Sequence, residues 1–213
     1  MQYIQFNIII SIYSNLIKLT LSKEIIKINV RYKVMIGLSR GIVKLAPYTN
    51  QWKDEFNKEK NLLSLVVGDY VLAIEHVGST SIKGLDSKPI IDIAMGVKSL
   101  NVINDFRELL EYIGYNYRGD GGIEGRVLFA NGSEELRTHY LHVEVISSNM
   151  WKNHIYFRDY LRLHKKYINE YSKLKNELAL KFADDRSTYT KEKDKFINMV
   201  LEKARDEFSN ASR

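Results

Sequence analysis

The chain lacks cysteine altogether and has only 2 prolines among its 213 residues. Without a thiol there is no disulfide bond, no thiolate metal ligand and no cysteine nucleophile. The low contents of proline and of glycine, of which there are 12, exclude collagen-like and proline-rich disordered chains. With 45% apolar residues, a chain of this length can fold without a metal or a disulfide staple.

Positive charge is unevenly distributed along the chain. The formal net charge is +6, from 32 basic and 26 acidic residues. Residues 35–150 carry 12 basic against 15 acidic residues, whereas residues 151–213 carry 15 against 10. A basic C-terminal third suits a phosphate-bearing ligand such as a nucleotide or RNA, and it also suits an ordinary solvated helical surface.

Long apolar runs are also missing, even from the first 34 residues. Gln5, Asn7 and Ser11 interrupt this segment before it reaches the length of about 18 apolar residues that a membrane span requires. It also lacks the basic start and the cleavage site of a signal peptide. We expect a cytoplasmic protein that does not enter a membrane. We further expect residues 1–34 to be a dispensable or mis-assigned extension before a natural start at Met35, the alternative being an amphipathic helix.

The hydrophobic pattern predicts a mixed α/β body followed by helices. Residues 41–48 alternate like a short strand that Pro47 ends, and apolar residues recur at helical spacing from Asn50 onward. A second amphipathic helix is predicted at 99–113, capped by Ser99 or Asn101. Further strands are predicted at 71–77, 89–97, 115–118, 125–130 and 137–146. Three final helices are predicted at about 150–165, 166–183 and 187–208.

Polar residues are densest between the strands predicted at 71–77 and 89–97. The first strand ends in Gly78-Ser79-Thr80-Ser81, where hydroxyls and backbone N–H groups can hold phosphate oxygens at a helix N-terminus. Lys88 would add a positive charge for the same phosphates. Asp92 lies within the second strand, and a buried carboxylate there needs a partner such as a divalent cation. The alternative for the Gly-Ser segment is an ordinary tight turn.

A second group of candidate ligands lies on the strand predicted at 137–146. Alternation places Thr138, Tyr140, His142 and Glu144 on one of its faces. His142 and Glu144 would then meet Asp92 across the sheet, and one Asp, one Glu and one His can form a single-metal site with open positions. The alternative is a hydrogen-bonded core histidine and a surface glutamate.

Basic residues at helical spacing offer further phosphate ligands near the C-terminus. Arg158 and Arg162 share a helix face, where they either clamp a phosphate or form salt bridges with Asp159. Tyr189 and Lys193 have the same spacing, which would suit a base stacked on the ring and a phosphate on the lysine. The alternative for this second pair is a buried tyrosine and a solvated lysine.

The stretch IEHVGSTSIKGLDSKPIID resembles the GrpB family, a group with the nucleotidyltransferase fold of DNA polymerase beta-like enzymes. The resemblance covers roughly residues 35–208. It includes GIVKLAPYTNQW at the start, THYLHV in the histidine-containing strand and FRDYLR in the C-terminal helices. It implies a nucleotidyltransferase-like mixed sheet flanked by helices over residues 35–149, with the helices of 150–213 packing on this core.

The resemblance also implies a mechanism. In the wider superfamily a Gly-Ser turn binds a nucleoside triphosphate, and three acids hold two Mg²⁺ ions. Gly78-Ser79 matches the turn and Asp92 matches the first acid, but Ala94 stands where the second acid is required. Two functions follow. One is Mg²⁺-dependent transfer of a nucleoside monophosphate to an unknown acceptor, with Asp92 catalytic. The other is a non-catalytic nucleotide-binding module that has lost the two-metal centre.

Site residues and partners follow from the same resemblance. It supports His142 as a ligand, whereas Glu144 lies at a position that is usually apolar in relatives. It also supports a ligand-facing role for Tyr189 and Lys193. The expected partner is a nucleotide or another phosphorylated small molecule. Nucleic acid is less favoured, because the basic helices lack the interleaved aromatic residues of a stacking platform.

Overall fold

The computed structural model describes residues 36–211. The expected extension at 1–34 and the expected start at Met35 lie outside the described residues. Within them, a five-stranded mixed sheet is flanked by helices, which confirms the α/β class predicted from the sequence. No helix in this part of the chain combines the length and the apolar character that a membrane span requires.

The described residues form five strands and six α-helices. The strands are β1 (Ala73–Val77), β2 (Ile91–Val97), β3 (Tyr115–Tyr117), β4 (Arg126–Gly132) and β5 (Arg137–Val145). The helices are α1 (Gln51–Val67), α2 (Ile103–Tyr112), α3 (Asn149–Leu163), α4 (Lys165–Lys181), α5 (Arg186–Glu192) and α6 (Asp194–Ala211). Short 3₁₀ turns lie at Gly68–Tyr70, Ser79–Ser81 and Leu100–Val102.

The strand order in the sheet is β1-β2-β5-β4-β3. β2 and β5 run parallel, and the other neighbouring strands are antiparallel. All residues of β2 except Asp92 are buried, which explains its near-continuous apolar sequence. In the β2–β5 register, the facing pairs are Asp92 with Tyr140, Ala94 with His142, and Gly96 with Glu144. One face of the sheet, called here the polar face, therefore carries Asp92, His142 and Glu144.

Different helices cover the two faces of the sheet. On the face opposite the polar face lies α1, whose Phe56 ring stacks on His76 of β1 at 4.7 Å. The buried residues of α1 recur at helical spacing, as the sequence predicts: Trp52, Phe56, Leu63 and Val67. On the polar face, α3 packs Trp151 into an apolar cluster with Val77 and Ala94.

Two elements differ from the sequence prediction. Residues 41–48 make only an isolated bridge between Ala46 and Ser87, because this segment packs Val43 against the helices rather than extending the sheet. The helix predicted at 187–208 is divided into α5 and α6. The amide of Lys193 donates to Thr190, an i→i+3 bond that tightens the last turn of α5. Apolar spacing alone does not report such a change of direction.

Gly78 determines how the turn after β1 approaches the sheet. Its φ of +65° and ψ of −172° belong to a region that is essentially restricted to glycine. A Cβ at this position would overlap the side chain of Asp92, so the missing side chain lets the turn lie against β2. Residues Ser79–Ser81 then form a single 3₁₀ turn. The turn therefore does not lead into an α-helix whose N-terminus could bind phosphate, contrary to the sequence prediction.

Gly78→Ala should lower the free energy of unfolding by roughly 2–4 kcal/mol, since backbone strain and steric overlap with Asp92 add together. Urea denaturation at pH 7 measures the loss. Gly119→Ala is the matched control, because Gly119 has a similar φ of +62° and a Cβ added there would meet no atom within 4 Å. The control should lose only about 1 kcal/mol. Equal losses in the two variants would contradict the close approach of the turn to Asp92.

Candidate functional site

A cavity of about 640 Å³ lies between the polar face of the sheet and the C-terminal helices. It contains most of the residues singled out from the sequence. They are Gly78, Ser79, Thr80, Lys88, Asp92, His142, Tyr189 and Lys193. The fold therefore brings the Gly-Ser turn, the two central strands and the last two helices to one place.

Four sequence candidates do not line the cavity, namely Ser81, Glu144, Arg158 and Arg162. Ser81 is buried, and its hydroxyl donates to the carbonyl of Gly78 at 2.7 Å. Arg158 is also buried, and its guanidinium donates to Glu75 at 2.5 Å and to Asp159 at 2.7 Å. Arg158 thus has the salt-bridge arrangement that the sequence offers as one alternative, and it does not form a phosphate clamp in the cavity.

Asp92 is an ionised carboxylate at the edge of the Gly78 turn. Burial raises the pKa of Asp92, but His142, Lys88 and Arg186 lower it by more, so the pKa lies below its ordinary value. Nε2 of His142 is 3.8 Å from Oδ1 of Asp92. This distance is too long for a direct hydrogen bond.

His142 is held in one tautomer by Arg126. Nη1 of Arg126 donates to Nδ1 of His142 at 3.0 Å. Because a guanidinium cannot accept a hydrogen bond, the proton of the neutral imidazole lies on Nε2, toward Asp92. Burial lowers the pKa of His142 by more than Asp92 raises it, so the ring is neutral at pH 7.

Glu144 is completely buried on the polar face, so the expectation of a surface glutamate is wrong. Its Oε1 lies 3.0 Å from Nε2 of His154 on α3. The ligand atoms of His142, Glu144 and His154 all lie within 4.8 Å of one another, and no other such group occurs in residues 36–211. Asp92, which the sequence suggests as the third ligand, is not a member of this group.

Six basic residues line the cavity; Arg40 contacts Glu134 and Arg126 contacts His142, and we call the other four the basic cluster. They are Lys88, Lys175, Arg186 and Lys193. Within residues 36–211, none of them forms an ion pair, and Nη1 of Arg186 is buried without a hydrogen-bond partner. Asp92 is the one acid among the lining residues that the structure describes. The cavity therefore has an excess of positive charge.

Tyrosine rings support these cations in place of acids. The distances from each cation to the ring centroid are 4.5 Å for Lys193 on Tyr189, 5.4 Å for Lys88 on Tyr189, 4.9 Å for Lys175 on Tyr171 and 5.3 Å for Arg186 on Tyr140. A ring face attracts a cation without neutralising its charge. Two lysines thus lie on the ring of Tyr189, the ring on which the sequence suggests a stacked base.

Burial and mutual repulsion lower the pKa values of the three lysines in the basic cluster. Burial, together with the charges of Arg186 and Lys193, lowers the pKa of Lys88 to about 7. Burial likewise lowers the pKa of Lys193 to about 8, against the opposing effect of Asp92. Burial also lowers the pKa of Lys175 well below its ordinary value. The Nζ of Lys175 donates to the carbonyl of Asp86.

Sequence reasoning missed several residues of the cavity: Arg126, His154, Lys175 and Arg186. The alternation of the strand predicted at 125–130 is a usable signal for Arg126, because it puts this residue on one face with Leu128. His154 and Arg186 lie on helices whose apolar spacing says nothing about which polar residue turns toward the sheet. Only the packing of these helices against the sheet shows that His154 and Arg186 line the cavity.

A comparison with family models matches residues 42–203 to the model described as GrpB protein. The glutamate-rich protein GrpB of Alkalihalophilus pseudofirmus is 41% identical over 171 residues, which cover 78% of this chain and 98% of that protein. UPF0157 protein YqkA of Bacillus subtilis is 37% identical over 163 residues, which cover 76% of this chain and 47% of that protein.

A search of solved structures gives the same relationship. The crystal structure of the conserved protein GrpB from Enterococcus faecalis superposes with a TM-score of 0.71 at 31% identity. The match covers 78% of this chain and 99% of the crystallised chain. The family match, the sequence relatives and the solved fold agree, and the chain belongs to the GrpB family.

Proposed function

We propose that the chain binds a nucleotide or another phosphorylated small molecule in the cavity, without catalysing two-metal nucleotidyl transfer. The observation that carries this proposal is the basic cluster, in which four cations converge on a cavity with Asp92 as the one lining acid among the described residues. Like charges brought together in a partly buried site repel one another, and a multivalent anion between them removes that cost. Phosphate groups match such a cluster in charge and in hydrogen-bond acceptors.

The lowered lysine pKa values support an anionic ligand. Lys88 and Lys193 have pKa values of about 7 and about 8, so both are partly deprotonated near neutral pH when the cavity holds no anion. A phosphate stabilises the protonated forms, and its binding is therefore coupled to proton uptake. Nη1 of Arg186, which has no hydrogen-bond partner among residues 36–211, provides a further donor for the same ligand.

The surroundings of Ala94 argue against a two-metal centre. Ala94 is completely buried and packs in an apolar cluster with Val77 and Trp151. A carboxylate at this position would be buried against an indole ring without a partner, which is strongly unfavourable. Asp92 then remains as a single acid on β2, and one carboxylate does not hold two Mg²⁺ ions in a bridging arrangement.

A second candidate is Mg²⁺-dependent transfer of a nucleoside monophosphate with one metal ion. It is favoured by the position of Asp92, an ionised carboxylate that lines the same cavity as Gly78 and Ser79. In this mechanism Asp92 would hold the metal ion, and the Gly-Ser turn would contact the triphosphate.

Lys88→Met should weaken the binding of a nucleoside triphosphate roughly 10- to 100-fold, the effect of losing one charge-assisted interaction. The same variant should raise the Tm of the free protein by roughly 2–4 °C, as expected for about 1 kcal/mol, because an apolar side chain of similar volume relieves the repulsion. Isothermal titration calorimetry and thermal unfolding in the absence of Mg²⁺ measure the two effects.

Lys166→Met is the matched control for Lys88→Met. Lys166 also lies on a tyrosine ring, that of Tyr167 at 5.8 Å, but its side chain is 77% exposed and lies outside the cavity. The control should change neither affinity nor Tm beyond error. A loss of stability in Lys88→Met, together with unchanged triphosphate affinity, would reject the proposed anion site.

Sulfate binding should weaken by roughly 10-fold or more between pH 6 and pH 9, because each neutralised lysine costs the anion one partner. Sulfate keeps its double charge over this pH range, so any change in its affinity comes from groups of the protein. Lys88 is charged below pH 7 and Lys193 below pH 8, and both lose their protons as the pH rises through these values. The facing groups do not reverse the trend, since Asp92 stays ionised and the raised pKa of Tyr189 keeps that ring neutral.

Competition with a fluorescent nucleotide measures the sulfate affinity at each pH. The double variant Lys88→Met and Lys193→Met should show a much flatter profile over the same range. A flat profile in the unmodified protein would contradict the role of the two lysines.

Asp92→Asn separates the binding module from the transferase. For a binding module, removal of the carboxylate should strengthen triphosphate binding about 3- to 10-fold in the presence of EDTA, because one repulsive charge is lost. Excess Mg²⁺ should weaken binding in both proteins, since it neutralises part of the ligand. Stronger binding with Mg²⁺ in the unmodified protein, lost in Asp92→Asn and accompanied by pyrophosphate release, would favour the transferase instead.

A further inference from the structure

A second group of polar residues lies beside the same cavity, where His142 and His154 line it and Glu144 is completely buried in contact with His154. Glu144 and His142 project from the same face of β5, and His154 projects toward them from α3. Nε2 of His154 is 3.0 Å from Oε1 of Glu144, and the two imidazole centroids are 5.1 Å apart. One ligand atom from each of the three residues lies within 4.8 Å of the other two.

The carboxylate of Glu144 is incompletely satisfied. Its side chain is 0% exposed, and His154 contacts only one of its oxygens. The other oxygen, Oε2, is buried and has no hydrogen-bond partner within the described residues. A buried acceptor without a partner is costly, and a fully buried carboxylate is more so. A cation held between Glu144 and the two histidines would satisfy this oxygen.

His142 is already oriented as a metal-binding histidine would be. Its Nδ1 carries the lone pair, because that atom accepts from Arg126 at 3.0 Å. Its Nε2 carries the proton and lies 3.8 Å from the carboxylate of Asp92. Histidines that bind metals typically direct their second ring N–H toward a carboxylate, which orients the ring and increases its basicity.

The guanidinium of Arg126 occupies the position at His142 where a metal ion would bind. Its guanidinium contacts the lone pair of His142 that a metal ion would use. It also donates to backbone carbonyls of the turn before β4, namely those of Asp120 and Gly121. These bonds are exposed to solvent, so the side chain has partners to keep if a metal ion takes its position at Nδ1.

We propose that His142, Glu144 and His154 bind one divalent transition-metal ion, with Asp92 as the carboxylate that lies 3.8 Å from the other ring nitrogen of His142. Two imidazoles and one carboxylate suit Zn²⁺, Fe²⁺ or Co²⁺, whereas Mg²⁺ prefers oxygen ligands. Three protein ligands leave positions open to water or to a ligand in the cavity. This site does not depend on the proposed anion site, because it shares no residue with the basic cluster.

Titration of the chelator-treated protein with Zn²⁺ by calorimetry, and with Co²⁺ by absorption spectroscopy, tests the proposal. We expect one ion per chain, with Zn²⁺ bound at least about 100-fold more tightly than Mg²⁺. His154→Gln and Glu144→Gln should each weaken Zn²⁺ binding about 10-fold or more. His164→Gln is the matched control, because His164 also contacts a glutamate, Glu207 at 2.9 Å, but is partly exposed and lies outside the cavity.

Arg126→Leu gives an expectation of opposite sign. If Arg126 competes for the lone pair of His142, its removal should strengthen Zn²⁺ binding about threefold or more. Unchanged or weaker Zn²⁺ binding in Arg126→Leu would show that Arg126 does not compete with the metal ion for His142.

X-ray absorption on the unmodified Zn²⁺-loaded protein tests the ligand set without any substitution, even where a variant fails to fold. Two imidazole nitrogens and at least one oxygen are expected. Absence of Zn²⁺ and Co²⁺ binding, a spectrum without imidazole, or an equal loss of affinity in His164→Gln would overturn the site.

Discussion

The parallel pairing of β2 with β5 is the constraint on which the rest of the site depends. Its register sets Asp92 beside Tyr140, Ala94 beside His142 and Gly96 beside Glu144. A shift of one residue would turn every side chain of either strand to the opposite face. Apart from Val145 at the end of β5, the apolar residues that alternate with these positions are completely buried, so such a shift would expose the core and bury the polar groups without partners. Packing of the apolar face therefore specifies the geometry of the polar one.

Much of the fold could be predicted because its signals are local. The buried run of β2 and the alternation along β5 are sufficient to place Asp92 and His142 near one another. The turn at Gly78 is recognisable from its composition, since only glycine tolerates its backbone angles. The strand prediction around Val43 fails because alternation does not distinguish pairing in a sheet from packing against helices. The division between α5 and α6 leaves no mark on hydrophobic spacing.

Only the residues of the site that lie in one polar stretch of sequence could be predicted, because the others depend on how the helices pack. Lys88 and Asp92 belong to a short stretch dense in polar residues, and composition is enough to single them out. His154 is one polar residue among many on an amphipathic helix, and its contact with Glu144 depends on how α3 crosses the sheet. Glu144 has a charged side chain at a fully buried position, which runs against the usual preference of glutamate for the surface. Arg158 shows the opposite case, since its spacing suits a phosphate but Glu75 and Asp159 occupy its guanidinium.

The apolar cluster around Ala94 keeps a second acid on β2 more than one mutational step away. A carboxylate at position 94 needs space that Trp151 fills, and Gly96 beside it is equally crowded, since a Cβ there would lie 3.1 Å from the same indole. Removing the indole first would leave a void costing about 3–5 kcal/mol. Introducing the acid first would bury a charge without a partner. Either intermediate is destabilised, so a single substitution has no direct route to the second metal ligand.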